Sequence, residues 1–349
     1  MATFNYDQWN MVDLVPAFKQ SPLQTPLLTA LNIFEKQGSA SVRVAFDRIV
    51  EDNKTLLNTP KKRYSYDHDS TSRGEASNYL IELPHFHRKD EVTAKDVQSG
   101  QRIPGTTQKE TRDHIIAYYL QRHAKAHART VEEMYARALF RGEVLTPETD
   151  DRLISYTDSF DAPFMTDTID LAASTTLDVL QVFNGYLDRI NAAADGLYSD
   201  ITRVVVFAGA DVWSKLRFHP SIVNAFQYVS PLDAGNIIVQ RQEILPNMQT
   251  ITLPGMSVDV IKVEDRLHAA HLASNEMVML PIFGAGTNAY QHIYGPASVN
   301  SAIAFNGDVQ EYFSYLTEDN LGKQDVYYES SILPVNHVTN MTLKITASL

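Results

Sequence analysis

The 349-residue chain contains no cysteine. Disulfide staples, thiolate zinc sites and cysteine nucleophiles are therefore excluded together, and the redox compartment is left open. Long hydrophobic runs are missing as well. The apolar stretch from Val204 to Ala210 falls far short of the roughly 20 residues that cross a bilayer, so no membrane partner is expected. The opening Met1-Ala2-Thr3-Phe4-Asn5-Tyr6-Asp7 has no basic cluster ahead of an apolar segment, and no secretory leader is expected from it. Positive charge is also in short supply: 42 acidic residues against 30 basic ones give a formal net charge of -12. That balance argues against a surface that grips phosphate backbones.

What is present describes a globular chain, since 44% apolar and 21% charged residues suit a packed core. The first fifty residues read as an arm. Pro16, Pro22 and Pro26 break up the region before Leu27 to Lys36, a short helix ended by Gly38, and Ser41 to Phe46 alternates like a strand. From Asn58 to Gly105 the composition turns polar, with Lys61-Lys62-Arg63 and the loop-forming run Asp67 to Gly74. Within it, Tyr79 to Phe86 and Glu91 to Lys95 are expected to form two strands around the charged turn His87-Arg88-Lys89-Asp90. Pro84 marks an exposed or edge strand. Such a hairpin cannot bury itself on its own chain and needs a neighbour.

The strongest local signal follows. Thr107-Gln108-Lys109-Glu110 has capping-box spacing, and neither proline nor glycine interrupts the chain before Gly142. Ile116, Leu120, Ala124, Val131, Tyr135 and Ala138 line one face, and Glu133 precedes Arg137 by one turn, the favourable order for a surface pair. A helix of this length runs roughly 50 Å and acts as a spine. A second helix is expected over Leu177 to Ala194, a buried strand over Arg203 to Phe207, and a short helix capped by Asp211 through Leu216. Another helix runs from His219-Pro220 through Phe226. Strands are expected at Ile237 to Gln240, Val258 to Val263 and Met277 to Ile282. The end of the chain is strand-rich, with Met341, Leu343 and Ile345 alternating against Thr342, Lys344 and Thr346.

No reaction chemistry emerges. Gly284-Ala285-Gly286-Thr287-Asn288-Ala289 fits a dinucleotide fingerprint, but Gly295-Pro296 closes the continuation within two turns and Asp308 is weak support for the acidic residue such a site needs. His123 and His127 have metal-ligand spacing without the general-base glutamate of a metalloprotease. The pairs His268/His271 and His85/His87 lack an obvious third ligand, so structural or solvent-facing roles are expected. No serine sits in a nucleophile elbow, and Gly322-Lys323 lacks a phosphate-loop sequence before it. Catalytic, cofactor and metal sites are accordingly expected to be none, and the chain to be no enzyme.

Three stretches resemble the lambda-like major capsid proteins (the major capsid protein E family) with the Hong Kong 97-type fold. Leu28 to Gly38 is similar to the family's N-terminal stretch, with its Phe34-Glu35 pair. Leu83-Pro84-His85 through Asp96-Val97-Gln98 is similar to its extended-loop motif. Ala138 to Leu145 resembles its helix end, where Gly142 precedes a short strand. Gly295-Pro296 and Tyr312 to Tyr328 are looser matches.

The resemblance implies an α+β fold with an N-terminal arm (1–57), an extended β-hairpin loop (58–105) and a peripheral domain carrying the spine helix (106–199). An axial domain (200–285), a return to the peripheral domain (286–330) and a C-terminal strand (331–349) would follow. It implies a virion subunit, assembled in the host bacterial cytoplasm, that self-associates into pentamers and hexamers around double-stranded DNA. Scaffold and decoration proteins would be its partners, and the acidic surface suits a wall that holds DNA without adhering to it. His85, Phe86, His87, Arg88, Lys89, Asp90 and Glu91 become the expected inter-subunit contacts, and removing His85 to Asp96 is expected to leave a folded subunit. The alternatives are an encapsulin-like nanocompartment shell, a nucleotide-binding oxidoreductase using Gly284 to Ala289, and an unassembled binding protein.

Overall fold

Two stretches, Val204–Ala208 within Ile201–Ala208 and Met277–Ile282 within Glu276–Phe283, are apolar and buried at every position, as strands covered on both faces must be. They lie side by side in the middle of the larger sheet, and the rest of the chain is arranged about them. The computed structural model describes residues 26–50, 75–99, 108–145, 152–171, 178–226, 249–319 and 322–349. In chain order, helix α1 (Leu27–Ala30) precedes strands β1 (Glu35–Gly38), β2 (Arg43–Val50), β3 (Glu75–Glu82) and β4 (His85–Val92), then helices α2 (Ala94–Ser99) and α3 (Gln108–Ala136). Next come β5 (Glu143–Leu145), β6 (Arg152–Ser155), α4 (Tyr156–Ser159), β7 (Met165–Asp170), α5 (Val179–Ala194), β8 (Ile201–Ala208), α6 (Ala210–Arg217) and α7 (Pro220–Phe226). The remainder holds β9 (Thr250–Thr252), β10 (Val258–Lys262), α8 (Arg266–Ala269), β11 (Glu276–Phe283), β12 (Tyr290–Tyr294), α9 (Ser301–Asn306), β13 (Phe313–Glu318), β14 (Gln324–Asn336) and β15 (Leu343–Ser348).

The six-stranded sheet has the order β7-β15-β11-β8-β10-β9, and a five-stranded sheet joins β1-β12-β14-β13, with β4 added along β14. One face of the larger sheet packs under α5 and α6, through Phe183, Ile190 and Trp213 against Val206, Met279 and Leu343. Its other face meets the C-terminal end of α3 and the smaller sheet, where Phe140 packs on Phe207 with Leu333 and Val335 in the same cluster. The end of α3 is therefore enclosed between two sheets. Leu139 is fully buried and Phe140 nearly so, and Asn336 Nδ2 donates to the carbonyl of Ala138 across 3.4 Å.

The long helix forms as expected, 29 residues and so about 43 Å. A π-helical turn, Arg137–Arg141, extends it. Gly142 ends it in the left-handed region at φ 65 and donates its N–H to the carbonyl of Arg137. The expected strands at residues 203–207, 258–263 and 277–282 and the closing strand are all present, as is the helix begun near residue 177.

Four local expectations are corrected. The helix expected over Leu27 to Lys36 stops at Ala30. Asn32 turns the chain at φ 50, and Glu35–Gly38 is a strand pairing in parallel with β12. The short helix begins at Ala210 with Gly209 at the N-cap position, so Asp211 lies inside the first turn, where its amide and that of Val212 donate to the carbonyl of Ser274. A side chain at Gly209 would run into that carbonyl oxygen at 2.6 Å. The hairpin of Tyr79 to Phe86 with Glu91 to Lys95 does not form. Instead β3 pairs antiparallel with β2, and β4 pairs antiparallel with β14. Finally, His87 to Asp90, expected as a turn, are mid-strand residues of β4. Removing His85 to Asp96 would thus take away a strand paired at eight positions with its own chain, so a folded remainder no longer follows. The leading residues 1–25, the run Asp67 to Gly74, Thr107 of the capping box and the strand expected at Ile237 to Gln240 lie outside the described residues.

A side chain at Gly142 would face both a strained backbone and the Phe164 ring, 2.7 Å from the new Cβ. Gly142→Ala is expected to destabilise the subunit by at least about 1–2 kcal/mol, read as a lower denaturant midpoint at unchanged slope. An unchanged midpoint would mean that the turn yields without strain.

Candidate assembly surface

Helix α1, the first described element, is held to the spine helix by a buried carboxylate. Glu132 is 3% exposed, yet it lies on the face of α3 turned to the core. Its oxygens accept from the amides of Leu28 (2.6 Å) and Thr29 (3.1 Å) and from the Thr29 hydroxyl (2.7 Å). These are first-turn amides of α1, which no helix can satisfy internally. His268 Nε2, on α8, lies 2.9 Å from the same carboxylate. Phe34 then stacks on Tyr135 with ring centres 4.1 Å apart, fixing the chain as it enters β1. A second buried carboxylate, Glu329 on β14, accepts from the amides of Ser298 (2.9 Å), Val299 (2.8 Å) and Asn300 (3.4 Å) and so holds the loop before α9.

The seven expected contact residues all fall on β4, and strand alternation divides them. Asp90 faces α3, where its Oδ2 is 2.5 Å from His123 Nε2, and Phe86 packs against the central cluster. On the opposite face, His85 Nδ1 is 2.9 Å from the Ser331 hydroxyl and its ring lies beside that of His87. Lys89 pairs with Asp325 at 2.9 Å and with Glu91 at 3.4 Å, and Glu91 pairs with Lys323 at 2.7 Å. The hydrogen bond to Asp325 holds the Lys89 ammonium well above the usual lysine range. His87, Lys89 and Glu91 are exposed on one face of this edge strand, which is a charged surface. On the other face Phe86, Asp90 and Val92 turn toward the protein, and Arg88 between them is exposed.

Of the three histidines of α3, His114 is exposed, whereas His123 and His127 turn inward. His123 is 1% exposed, and His127, 7% exposed, places Nδ1 2.6 Å from the Tyr328 hydroxyl of β14. With His292 of β12, packed edge-on against Tyr135, they line the seam between the helix and the smaller sheet. Burial lowers the pKa of His127 and of His85, pushes that of His292 down to about 4, and raises that of the Tyr328 phenol to about 12. Glu133 and Arg137 form the expected pair, with Arg137 Nε 2.9 Å from Glu133 Oε1, and His271 Nε2 shares that oxygen at 2.9 Å. Burial pushes the Glu133 carboxyl up, but His271 and Arg137 outweigh it and hold the group below the ordinary glutamate value.

Glu132 and Glu329 escaped sequence reasoning. Glu132 did leave a signal, because it follows Ala124 by eight residues and therefore interrupts the apolar stripe with a charge. Glu329 left none, since strand β14 was not delimited. The glycine-rich decoy is resolved by geometry: Gly284 to Ala289 link β11 to β12, and no helix opens at the glycines. The amide of Gly286 donates instead to Glu35 at 2.8 Å.

Comparison with known proteins identifies this architecture. Similar solved structures include the capsid of Myoviridae phage XM1, at 10% identity and TM-score 0.55 over 99% of both chains. The mature capsid of bacteriophage PhiM1 is similar at 10% identity and TM-score 0.53, over 97% of this chain and 90% of that one. The putative capsid protein of a prophage from E. coli CFT073 matches at 13% identity and TM-score 0.53, over 79% of this chain and 80% of that one. At these identities the likeness establishes the fold, the Hong Kong 97-type fold of phage capsid proteins.

In sequence, a 154-residue stretch is 27% identical to the major capsid protein of Pseudomonas phage KPP10, and this match spans 42% of each chain. The family model for phage major capsid protein E matches residues 10–347. The chain therefore belongs to the phage major capsid protein E family, the structural subunits of phage capsid shells.

Two outcomes follow from the buried groups. Glu132→Ala strands the His268 imidazole and the first amides of α1, at a cost of about 3–5 kcal/mol. Limited proteolysis is expected to cut near Leu27 to Phe34 early in this variant, and resistance equal to the parent would refute the latch. His292 has a folded pKa below its unfolded value, so its contribution to stability is full above pH 6.5. That contribution is lost as the pH falls toward 4, where the unfolded chain takes up the proton first. The loss attributable to His292 is about 3 kcal/mol. Denaturant midpoints between pH 7 and pH 4 should fall less steeply in His292→Gln than in the parent.

Proposed function

We propose that copies of this chain close into pentamers and hexamers and that these form an icosahedral head around double-stranded DNA. The work is contact without turnover. The observation that carries this reading is the ribbon of β2 and β3. It pairs over eight positions, from Arg43 with Glu82 to Val50 with Glu75, yet among the described residues it joins neither larger sheet. An isolated two-stranded ribbon is at best marginally stable in water. The covering it needs comes from a neighbouring subunit, across which the ribbon lies.

Its root is firm. Leu83 is buried, its amide donates to the carbonyl of Val42 at 2.9 Å, and the carbonyl of Pro84 accepts from Ile332 at 3.3 Å. The exposed face of β4, with His87, Lys89 and Glu91, is a second contact beside that root. On this reading the two sheets correspond to the axial and peripheral parts of the subunit, and head-to-tail contacts close into rings. The formal charge of -12 suits an inner wall that holds DNA without sequence-specific binding. Scaffold and decoration proteins complete the partners, and assembly takes place in the cytoplasm of the host bacterium.

The test replaces residues 47–78 by a two-residue Asn-Gly turn, so that Phe46 and Tyr79 still face each other in the ladder. The shortened subunit is expected to melt cooperatively near the parent temperature and to give no closed particles by electron microscopy, where the parent gives shells. Intact shells from the shortened chain would remove the ribbon from the assembly.

A further inference from the structure

The larger sheet is finished unevenly. On the face under α5 and α6, the outer strands β7 and β15 bury Ile169, Leu343, Ile345 and Ala347. On the opposite face, the middle of the sheet is closed by the end of α3, with Val205, Phe207, Val278 and Leu280 in the central cluster. That cover stops short of the outer strands. Thr166 and Thr168 of β7, Lys344 and Thr346 of β15, and Glu276 of β11 are left lining a groove of about 410 Å³, with Phe140 and His271 at its inner end. The volume admits a few side chains.

The charges along this groove are paired, with one exception. Asp167 holds Arg189 at 2.5 Å, His271 holds Glu133 at 2.9 Å, and Glu276 accepts from the amide of Ala273 at 3.2 Å. Lys344 Nζ lies 4.4 Å from the centre of the Phe164 ring, and among the described residues it has neither a hydrogen bond nor an ion pair. Burial, with Arg141 adding to it, lowers its pKa, while Glu276 and Glu143 oppose the shift from beyond contact. An ammonium drawn half out of water without a counter-ion is costly, and a methionine of the same reach would avoid the cost. The position makes physical sense when a carboxylate arrives from outside.

We propose that this groove receives an acidic side chain from a second copy of the chain, with the carboxylate on Lys344 and the hydroxyls of Thr166, Thr168 and Thr346 around it. The inference rests on the shell reading and names one of its contacts. Charge complementarity points to a copy: carboxylates outnumber cations 42 to 30 in this sequence, so each subunit carries acidic side chains in excess of its own partners. In a homo-oligomer whose contacts are heterologous, a groove on one subunit meets a different surface of the next, and such contacts close a ring.

Particles assembled from equal amounts of unlabelled and nitrogen-15-labelled subunits decide the matter. A water-soluble carbodiimide condenses an amine with an adjacent carboxylate into an amide and takes up the water as a urea. Mass spectrometry is expected to find the Lys344 peptide joined to an acidic peptide, with half of the joined pairs mixed in label, in particles and not in free subunits. Lys344→Met is expected to melt no lower than the parent but to need at least a tenfold higher concentration to assemble, and Lys344→Arg to restore the parent value. Absence of the mixed-label product from intact particles, or assembly of Lys344→Met at the parent concentration, overturns the inference and leaves the shell reading standing. A parent chain that forms no particles overturns both.

Discussion

A carboxylate buried away from water must find its hydrogen bonds inside the protein, and Glu132 finds them on elements far apart in sequence. It brings the first turn of α1, the C-terminal end of the spine helix and His268 of α8 to one point. An apolar residue there would let α1 dock in several ways, whereas a carboxylate with fixed donors accepts one. The direction in which the chain continues past Phe34 into β1, and the pairing of β1 with β12, follow from that docking. Glu329 plays the same part at the other end of the smaller sheet, holding the loop before α9. In both places a polar group specifies geometry within a core whose stability comes mainly from Phe, Leu, Ile and Val.

Between these two points the subunit is a firm body with thin extensions. The end of α3, sealed between the sheets, and the ladder of β14 form the body, while the ribbon of β2 and β3 leaves it at Leu83 and Pro84. A capsid protein needs this division, since contacts between copies must adapt while the surface that presents them does not. The seam of His123, His127 and His292 belongs to the body. It is filled with polar rings where apolar residues would otherwise be expected, and because burial lowers the pKa of His127 and His292, the joint between helix and sheet depends on pH.

The parts of the fold legible in the sequence were those set by period and composition. The spine helix showed in its unbroken run to Gly142, β8 and β11 in their continuous apolar stretches, and β15 in its alternation. The extended hairpin was misplaced for a definite reason. His87-Arg88-Lys89-Asp90 looked like a turn because four consecutive polar residues rarely cross a sheet. Here the strand is an edge strand whose outer face is solvated, and its inward Asp90 is met by His123. That partner lies 33 positions away, and no periodicity announces it. The same holds for Glu132, whose donors lie roughly a hundred residues away in each direction, and for β14, which takes its identity from strands on both sides.

The ladder between β4 and β14 has a consequence for synthesis. It joins His85 through Val92 to Gln324 through Ser331, so the edge of β4 has no mate until roughly 230 further residues have been made. At about 5–20 residues per second, a nascent chain carries an open strand edge for some tens of seconds. The charges on β4 that misled sequence reading are suited to that interval. Lys89 and Glu91 on one face keep a waiting edge from joining another unfinished chain before its own partner emerges from the ribosome.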